Sequence, residues 1–297
     1  SVIMSNNESV NLDELVCKWR SVLEDVFPMK TGDFEKIRPI SSSRNCPIKS
    51  SAKIASPKAV IPVFPGTNCE FDTARAVERA GGTAVIQNLN PSLLEDSVLR
   101  LENAIRRCQM LVIPGGFSGG DEPDGSGKFI AAFLRNPRIT EAIHELLQKR
   151  DGLMLGICNG FQALIKLGLV PYGEIRPMTS DCPTLTFNTI GRHQSRYVNT
   201  RVCSTASPWL SRCNTGDVHT IPVSHGEGRF AASDEILQQL IKNDQIATQY
   251  CDEAGIPSMD ISVNPNGSLA AIEGIFSPDG RVFGKMGHTE RNGKYVA

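Results

Sequence analysis

The sequence predicts an α/β fold: a mainly parallel sheet flanked by helices, with extra strands in the C-terminal half. Three observations carry that expectation. Apolar runs at 59–64, 83–87, 110–113 and 152–157 alternate with segments of helical periodicity, the pattern of parallel strands buried on both faces. Most of these runs end at turn glycines, where a parallel sheet collects its functional loops. Beyond residue 180 the helical segments thin out and strand-like runs follow one another closely.

Taken in order, the first 57 residues stand apart. Leu12, Leu15, Val16, Trp19, Val22, Leu23 and Val26 recur at helical spacing. The following Ser/Pro/Lys-rich text up to Lys58 reads as an extended linker. Too short for a core of its own, this region is expected to be the tail of another unit or an arm that packs on a partner. The second unit is 58–297. AVIPVF stops at Pro65-Gly66, a helix opens near Asp72, and Gly81-Gly82 ends it. TAVIQ and MLVI are strands separated by an amphipathic helix over 92–107. A long helical pattern at 125–149 is divided at Pro137. GLMLGI runs directly into the helix that begins NGFQALIKLG. TLTFN, RYVNTRVC, VHTIPVSHGEGRF, AAIEGIFS and RVFGKMG supply the later strands, added to the sheet or forming an antiparallel flap.

With 297 residues, 40% of them hydrophobic, the chain can bury a large core. Its 31 Lys and Arg against 32 Asp and Glu leave a net charge of −1, so no bulk attraction to nucleic acid or an anionic membrane is expected. The polar opening lacks a secretory leader's apolar core, and no run is long enough to span a bilayer. The nine cysteines are scattered, without a CxxC pair, and the five histidines lie apart from them. That argues against a disulfide framework or a zinc site and for a reduced, cytoplasmic protein.

The sharpest local feature is Gly156-Ile157-Cys158-Asn159-Gly160, between an apolar strand and a helix. Small residues two before and two after a nucleophile permit a tight turn that pushes its side chain into the open. At a helix N-terminus the dipole favours thiolate, and the N–H of Asn159 is free to stabilise an oxyanion. The bland alternative is a buried structural cysteine. A second glycine turn, Pro114 to Asp121, falls at the same sheet edge and offers N–H groups for the other half of an oxyanion hole. A phosphate-cradling loop would need a Walker-type Lys-Ser/Thr, and none follows.

A thiol nucleophile needs a base and a group to orient it. His144 reads as a surface helix residue, and His193 and His219 lie among polar or strand residues away from glycine turns. His225, two before Glu227, and His288, two before Glu290, each follow a strand. In an extended segment that spacing points both side chains the same way, so each carboxylate could steer its imidazole. These considerations leave both pairs open.

Five motifs in order, PGGFSGGD, GICNGFQ, SHGEGR, NPNGS and GKMGHTER, resemble the glutaminase domain of phosphoribosylformylglycinamidine synthase across residues 58–297. The resemblance implies a class I glutamine amidotransferase-like fold with Cys158 as nucleophile, His288 as base and Glu290 orienting it. It further implies an oxyanion hole from the backbone of Gly116 and Asn159, with Phe117, Gln162 and His225 near the glutamine. Ammonia would serve the ATP-dependent conversion of formylglycinamide ribonucleotide to formylglycinamidine ribonucleotide. No cofactor is expected in this chain, since ATP and Mg would belong to a synthase portion. That portion cannot fit into 57 residues, so it is either the preceding part of one long chain of the large type or a separate subunit. The linker-like start favours the first. Many members have tyrosine where this chain has Gly119, and prolines at Gly287 and Thr289, which alters pocket shape but leaves the triad intact. A same-fold cysteine hydrolase or stress protein, or a non-catalytic docking module, are the rival readings. The intact Cys158, His288 and Glu290 argue against both.

Overall fold

Nine strands form one mixed sheet through the computed structural model, which describes residues 2–3, 9–26, 37–44, 46, 54–119 and 127–291. The strands of the main unit are β1 (Lys58–Val63), β2 (Thr83–Asn88), β3 (Met110–Ile113), β4 (Leu153–Ile157), β5 (Thr184–Phe187), β6 (Gln194–Val202), β7 (Val218–His225), β8 (Glu227–Ala231), β9 (Ile246–Cys251), β10 (Ile272–Phe276) and β11 (Val282–Lys285). The order is β2-β1-β3-β4-β11-β10-β9-β6-β7. The first five run parallel and the rest antiparallel. β5 and β8 pair antiparallel as a small second sheet. The expected architecture, parallel sheet plus extra C-terminal strands, is what the chain builds.

Strand periodicity places the core. Val60, Leu111 and Met154 face a large apolar layer under helices α3 (Leu94–Ile105), α5 (Pro137–Gln148) and α6 (Asn159–Leu167). Their neighbours Ala59, Ile61, Val112 and Leu155 pack on the opposite face with Ala74 and Val77 of α2 (Glu70–Arg79). Helix α4 (Lys128–Leu134) joins the first layer and ends before Asn136, whose side chain caps α5 while Pro137 takes its first position. Cutting back the fully buried Leu111 to alanine would cost about 2–5 kcal/mol.

Two elements escape the sequence reading. β9 is buried along its whole length although Thr248 and Gln249 interrupt its apolar run. Thr248 bonds Glu273, and Gln249 receives the Ile40 N–H at 2.8 Å. The helix before it, α7 (Asp234–Lys242), buries only Leu240, with Ser233 capping its start.

The arm is more attached than a plain linker. Helix α1 (Leu12–Ser21) buries none of its residues and leaves Trp19 75% exposed. Residues 37–44, by contrast, lie along the main unit. Arg201 donates to the carbonyl of Ile40 and the hydroxyl of Ser41, both at 2.7 Å, and Ser42 N–H donates to the Cys203 carbonyl at 2.8 Å.

Candidate active site

Cys158 occupies the turn between β4 and α6. Its φ is 52° and its ψ −106°, a conformation costing about 1–3 kcal/mol for a residue with a side chain and concentrated at functional sites. The flanking glycines have a steric reason. A Cβ on Gly160 would lie 2.1 Å from the Ile113 carbonyl oxygen, and one on Gly156 would lie 2.8 Å from that of Gly160. Only bare backbone lets the strand turn this sharply into the helix. Cys158 is 5% exposed, and its Sγ lies 3.8 Å from the Ser224 carbonyl oxygen.

His288 reaches this thiol through sheet topology. β11 pairs parallel with β4, Lys285 opposite Ile157, so both strands finish at one edge. The Cys158 N–H donates to the Lys285 carbonyl at 2.8 Å. Gly287 N–H is held by Glu273 Oε1 at 2.6 Å and His288 N–H by the Pro222 carbonyl at 2.9 Å. The imidazole bonds Glu290 Oε1 through Nδ1 at 2.6 Å, and both side chains are buried. This fixes the tautomer with its proton on Nδ1 and leaves Nε2 for the Cys158 thiol. The pair stands on a 3₁₀ turn, Thr289–Arg291, rather than the extended backbone expected. Burial alone would lower the proton affinity of His288. Hydrogen bonds with Cys158, Cys69 and Glu290 outweigh it and raise the pKa to about 12.

The second glycine turn lies beside Cys158. Gly116 has φ 142°, and its loop is tied down by Phe117 N–H to Gly66 oxygen at 2.8 Å and Gly119 N–H to Pro65 oxygen at 2.9 Å. These bonds leave the Gly116 N–H out. Asn159, first in α6, has an N–H with no intrahelical acceptor. A buried chain of side chains locks the two turns together. Ser118 Oγ donates to Asn159 Oδ1 at 2.6 Å, Asn159 Nδ2 to Gln162 Oε1 at 3.0 Å, and Gln162 Nε2 to the Glu227 carbonyl at 2.7 Å. Gln162 is therefore buried with both ends of its amide engaged by protein. Phe117 is partly exposed at the mouth, its ring 6.3 Å from that of His193. Gly120 and Asp121 of the same motif lie outside the described residues.

The remaining histidines sort clearly. His225 pairs with Asn188 Oδ1 at 3.2 Å. Asn188 Nδ2 donates to the carbonyls of Arg192 and His225, so its oxygen faces the ring and His225 Nδ1 carries the proton. Burial, then the neighbouring His193 and His288, push the His225 pKa down to about 3. His193 comes to the mouth, 2.9 Å from Ser224 Oγ, which its sequence neighbours gave no reason to expect. His144 is half-buried rather than on the surface, because its Nε2 accepts the Ile175 N–H at 2.9 Å. His219 is exposed.

Cys69 is the site residue that sequence reasoning missed. It ends the loop after β1, at the same sheet edge, and is fully buried 3.9 Å from His288 Nδ1. The sign available in the sequence was its position just past a strand and a turn glycine. Cys69, His288 and Glu290 converge with ligand atoms within 4.8 Å, a donor set that suits zinc. The Arg291 guanidinium, however, donates to the Cys69 sulfur at 2.9 Å and opposes a second cation there. No disulfide joins any of the nine cysteines, and among the described residues no helix is long and apolar enough to cross a membrane.

Comparison with known proteins agrees with this geometry. Residues 56–297 match the CobB/CobQ-like glutamine amidotransferase domain. The phosphoribosylformylglycinamidine synthase subunit PurQ of Aquifex aeolicus is 35% identical over 79% of this chain and 90% of its own length. That of Symbiobacterium thermophilum is 37% identical over 77% and 85%. Among solved structures, a chain of PurLQS from Thermotoga maritima superimposes with a TM-score of 0.57 at 28% identity, over 80% of this chain and 89% of that one. The chain therefore belongs to the CobB/CobQ-like glutamine amidotransferase domain family, and within it to the PurQ family of phosphoribosylformylglycinamidine synthase glutaminases.

Proposed function

We propose that this chain hydrolyses glutamine through a thioester on Cys158 and supplies the ammonia for synthesis of formylglycinamidine ribonucleotide. One observation carries the chemistry: a thiol on a strained turn hydrogen-bonded to an imidazole that Glu290 holds from behind. The Cys158 sulfur attacks the carboxamide carbon with its proton already held on His288 Nε2, consistent with the raised pKa of that ring. The N–H groups of Gly116 and Asn159 stabilise the oxyanion, and Gln162 keeps these turns in register through Asn159. Collapse breaks the C–N bond, and the imidazolium protonates the departing nitrogen to give ammonia. Water activated by the neutral imidazole then cleaves the thioester to glutamate and the free thiol. Phe117 and His225 border the glutamine in this reading.

The synthase portion holds ATP and Mg2+ and converts formylglycinamide ribonucleotide with the ammonia released here. The matched relatives are subunits, and this chain carries in addition an arm outside the matched residues. The exposed apolar side of α1 supports reading residues 1–57 as a connection to the synthase, in the manner of the large single-chain type. That none of the nine cysteines is joined in a disulfide supports a reducing, cytoplasmic setting.

The test is incubation with a glutamine-analogue alkylator in the presence of the synthase, followed by peptide mapping. Label on Cys158 is expected. Cys158→Ser should abolish glutamine-dependent synthesis and leave ammonia-dependent synthesis intact. Glutamine still serving as donor in that variant would refute the nucleophile.

A further inference from the structure

The geometry points to Cys69 and Arg291 as a positioning pair that holds the His288 imidazole in line with Cys158. The inference rests on His288 acting as the base proposed above. Cys69 belongs to the first α/β unit, at the N-cap of α2, while His288 follows the last strand of the sheet. Their meeting fastens two distant parts of the chain across the site.

The fastening has several points. Cys69 Sγ donates to Asn68 Oδ1 at 3.1 Å and accepts from Arg291 Nη2 at 2.9 Å, so both hydrogen-bonding capacities of the thiol are engaged. Arg291 Nε also lies 4.0 Å from Asp72, and Arg79 donates to the Glu290 carbonyl at 3.4 Å. The 3₁₀ turn carrying His288 and Glu290 is thereby clipped to α2 on its outer side.

The ring itself is boxed in. Nδ1 bonds Glu290 Oε1 at 2.6 Å and lies 3.9 Å from the Cys69 sulfur. On another side stands Gly115, where a Cβ would lie 2.6 Å from His288 Cε1, 3.2 Å from Cys69 Sγ and 3.4 Å from Cys158 Cβ. Gly115 thus lets nucleophile, base and Cys69 close on one another. Removing the Cys69 sulfur would open a gap along the imidazole and free the guanidinium that pins its turn. The ring could then tilt, and misplacement of a catalytic group by about 1 Å can cost up to about 100-fold in rate. Asn68 and Arg291 match a hydroxyl as well as a thiol, so serine should preserve the arrangement.

The experiment compares Cys69→Ala, Cys69→Ser and Arg291→Met with the unaltered protein, each combined with the synthase. Glutamine-dependent and ammonia-dependent synthesis are assayed side by side. For Cys69→Ala the glutamine-dependent kcat is expected to fall about ten-fold with KM for glutamine and the ammonia-dependent rate unchanged. Cys69→Ser should recover most of the loss and Arg291→Met should reproduce it. A kcat for Cys69→Ala within two-fold of the unaltered protein overturns the proposal. So does a rise in KM alone, which would place Cys69 at the glutamine, or a deficit equal in Ala and Ser. If Cys69→Ala does not fold, the Ser and Met variants decide by the same criteria. Cys158 labelling is a separate readout. Loss of label in the unaltered protein would reject the triad itself, whereas normal label with an unaffected kcat in Cys69→Ala rejects only the positioning role.

Discussion

Two turns of this molecule share one sequence grammar, a strand followed by histidine, any residue and glutamate, yet hold their protons oppositely. At His225 the ring donates to Asn188, lies buried among other histidines, and has its pKa pushed down to about 3. At His288 the ring meets a carboxylate at 2.6 Å and a thiol on its other side, and the pKa rises to about 12. Burial is nearly the same in both. The partner decides: a neutral amide oxygen cannot offset the desolvation of an imidazolium, while a carboxylate and a thiol together can. Spacing brings candidates to a site, and only the third residue sets their chemistry.

That contrast can be broken in graded ways. The largest effect is expected from His288→Asn, which removes the proton acceptor and should lower glutamine-dependent kcat by about 10³-fold or more, leaving ammonia-dependent synthesis intact. If His225→Asn caused the larger loss instead, the two turns would have to exchange roles. Glu290→Gln keeps the shape but presents a neutral amide, making the active turn resemble the His225 turn. A kcat loss of about 10–100-fold is expected, smaller than that for His288→Asn. The pH profile sharpens the same point. A raised pKa means that His288 keeps its proton as pH increases through the neutral range, so no alkaline loss of glutaminase activity from this group is expected between pH 7 and 9. A fall centred near the ordinary histidine value of about 6.5 would contradict the assignment.

The smallest effect concerns stability. The folded-state pKa of His225 is depressed, so its contribution is present above the unfolded value of about 6.5. It is lost as pH falls from there toward about 3, because the unfolded chain takes up a proton that the folded one refuses. The cost approaches about 1.4 kcal/mol per pH unit. Thermal melts at pH 7.5 and 5 should show a smaller acid loss for His225→Gln than for the unaltered protein. Equal losses would mean that His225 is not the group responsible.

Much of this is legible in the sequence. The alternation of apolar runs and helical segments foretold the parallel half, and Pro137 fell at the break between two helices. Gly156 and Gly160 marked the sharp turn because close backbone approach requires them. What escaped notice depended on long-range pairing. β9 was hidden because Thr248 and Gln249 look like surface residues until Glu273 and Ile40 arrive to bond them. Cys69 looked like one scattered cysteine among nine, since nothing local reveals that β11 will carry His288 and Arg291 to it. The choice between His225 and His288 needed the resemblance for the same reason: Asn188 and Cys158 are far from them in sequence.

The place of β11 in the sheet has a consequence in time. This strand, formed from residues 282–285, sits between β4 and β10, well inside a sheet whose other strands all precede it in the chain. During synthesis the elbow bearing Cys158 can form long before its histidine emerges. The thiol therefore stays unarmed in a partly made chain and acquires its base only when the sheet closes over its last strand. Reactivity at Cys158 would then report completed folding, and the nascent protein would be spared a reactive sulfur before it has a pocket to contain it.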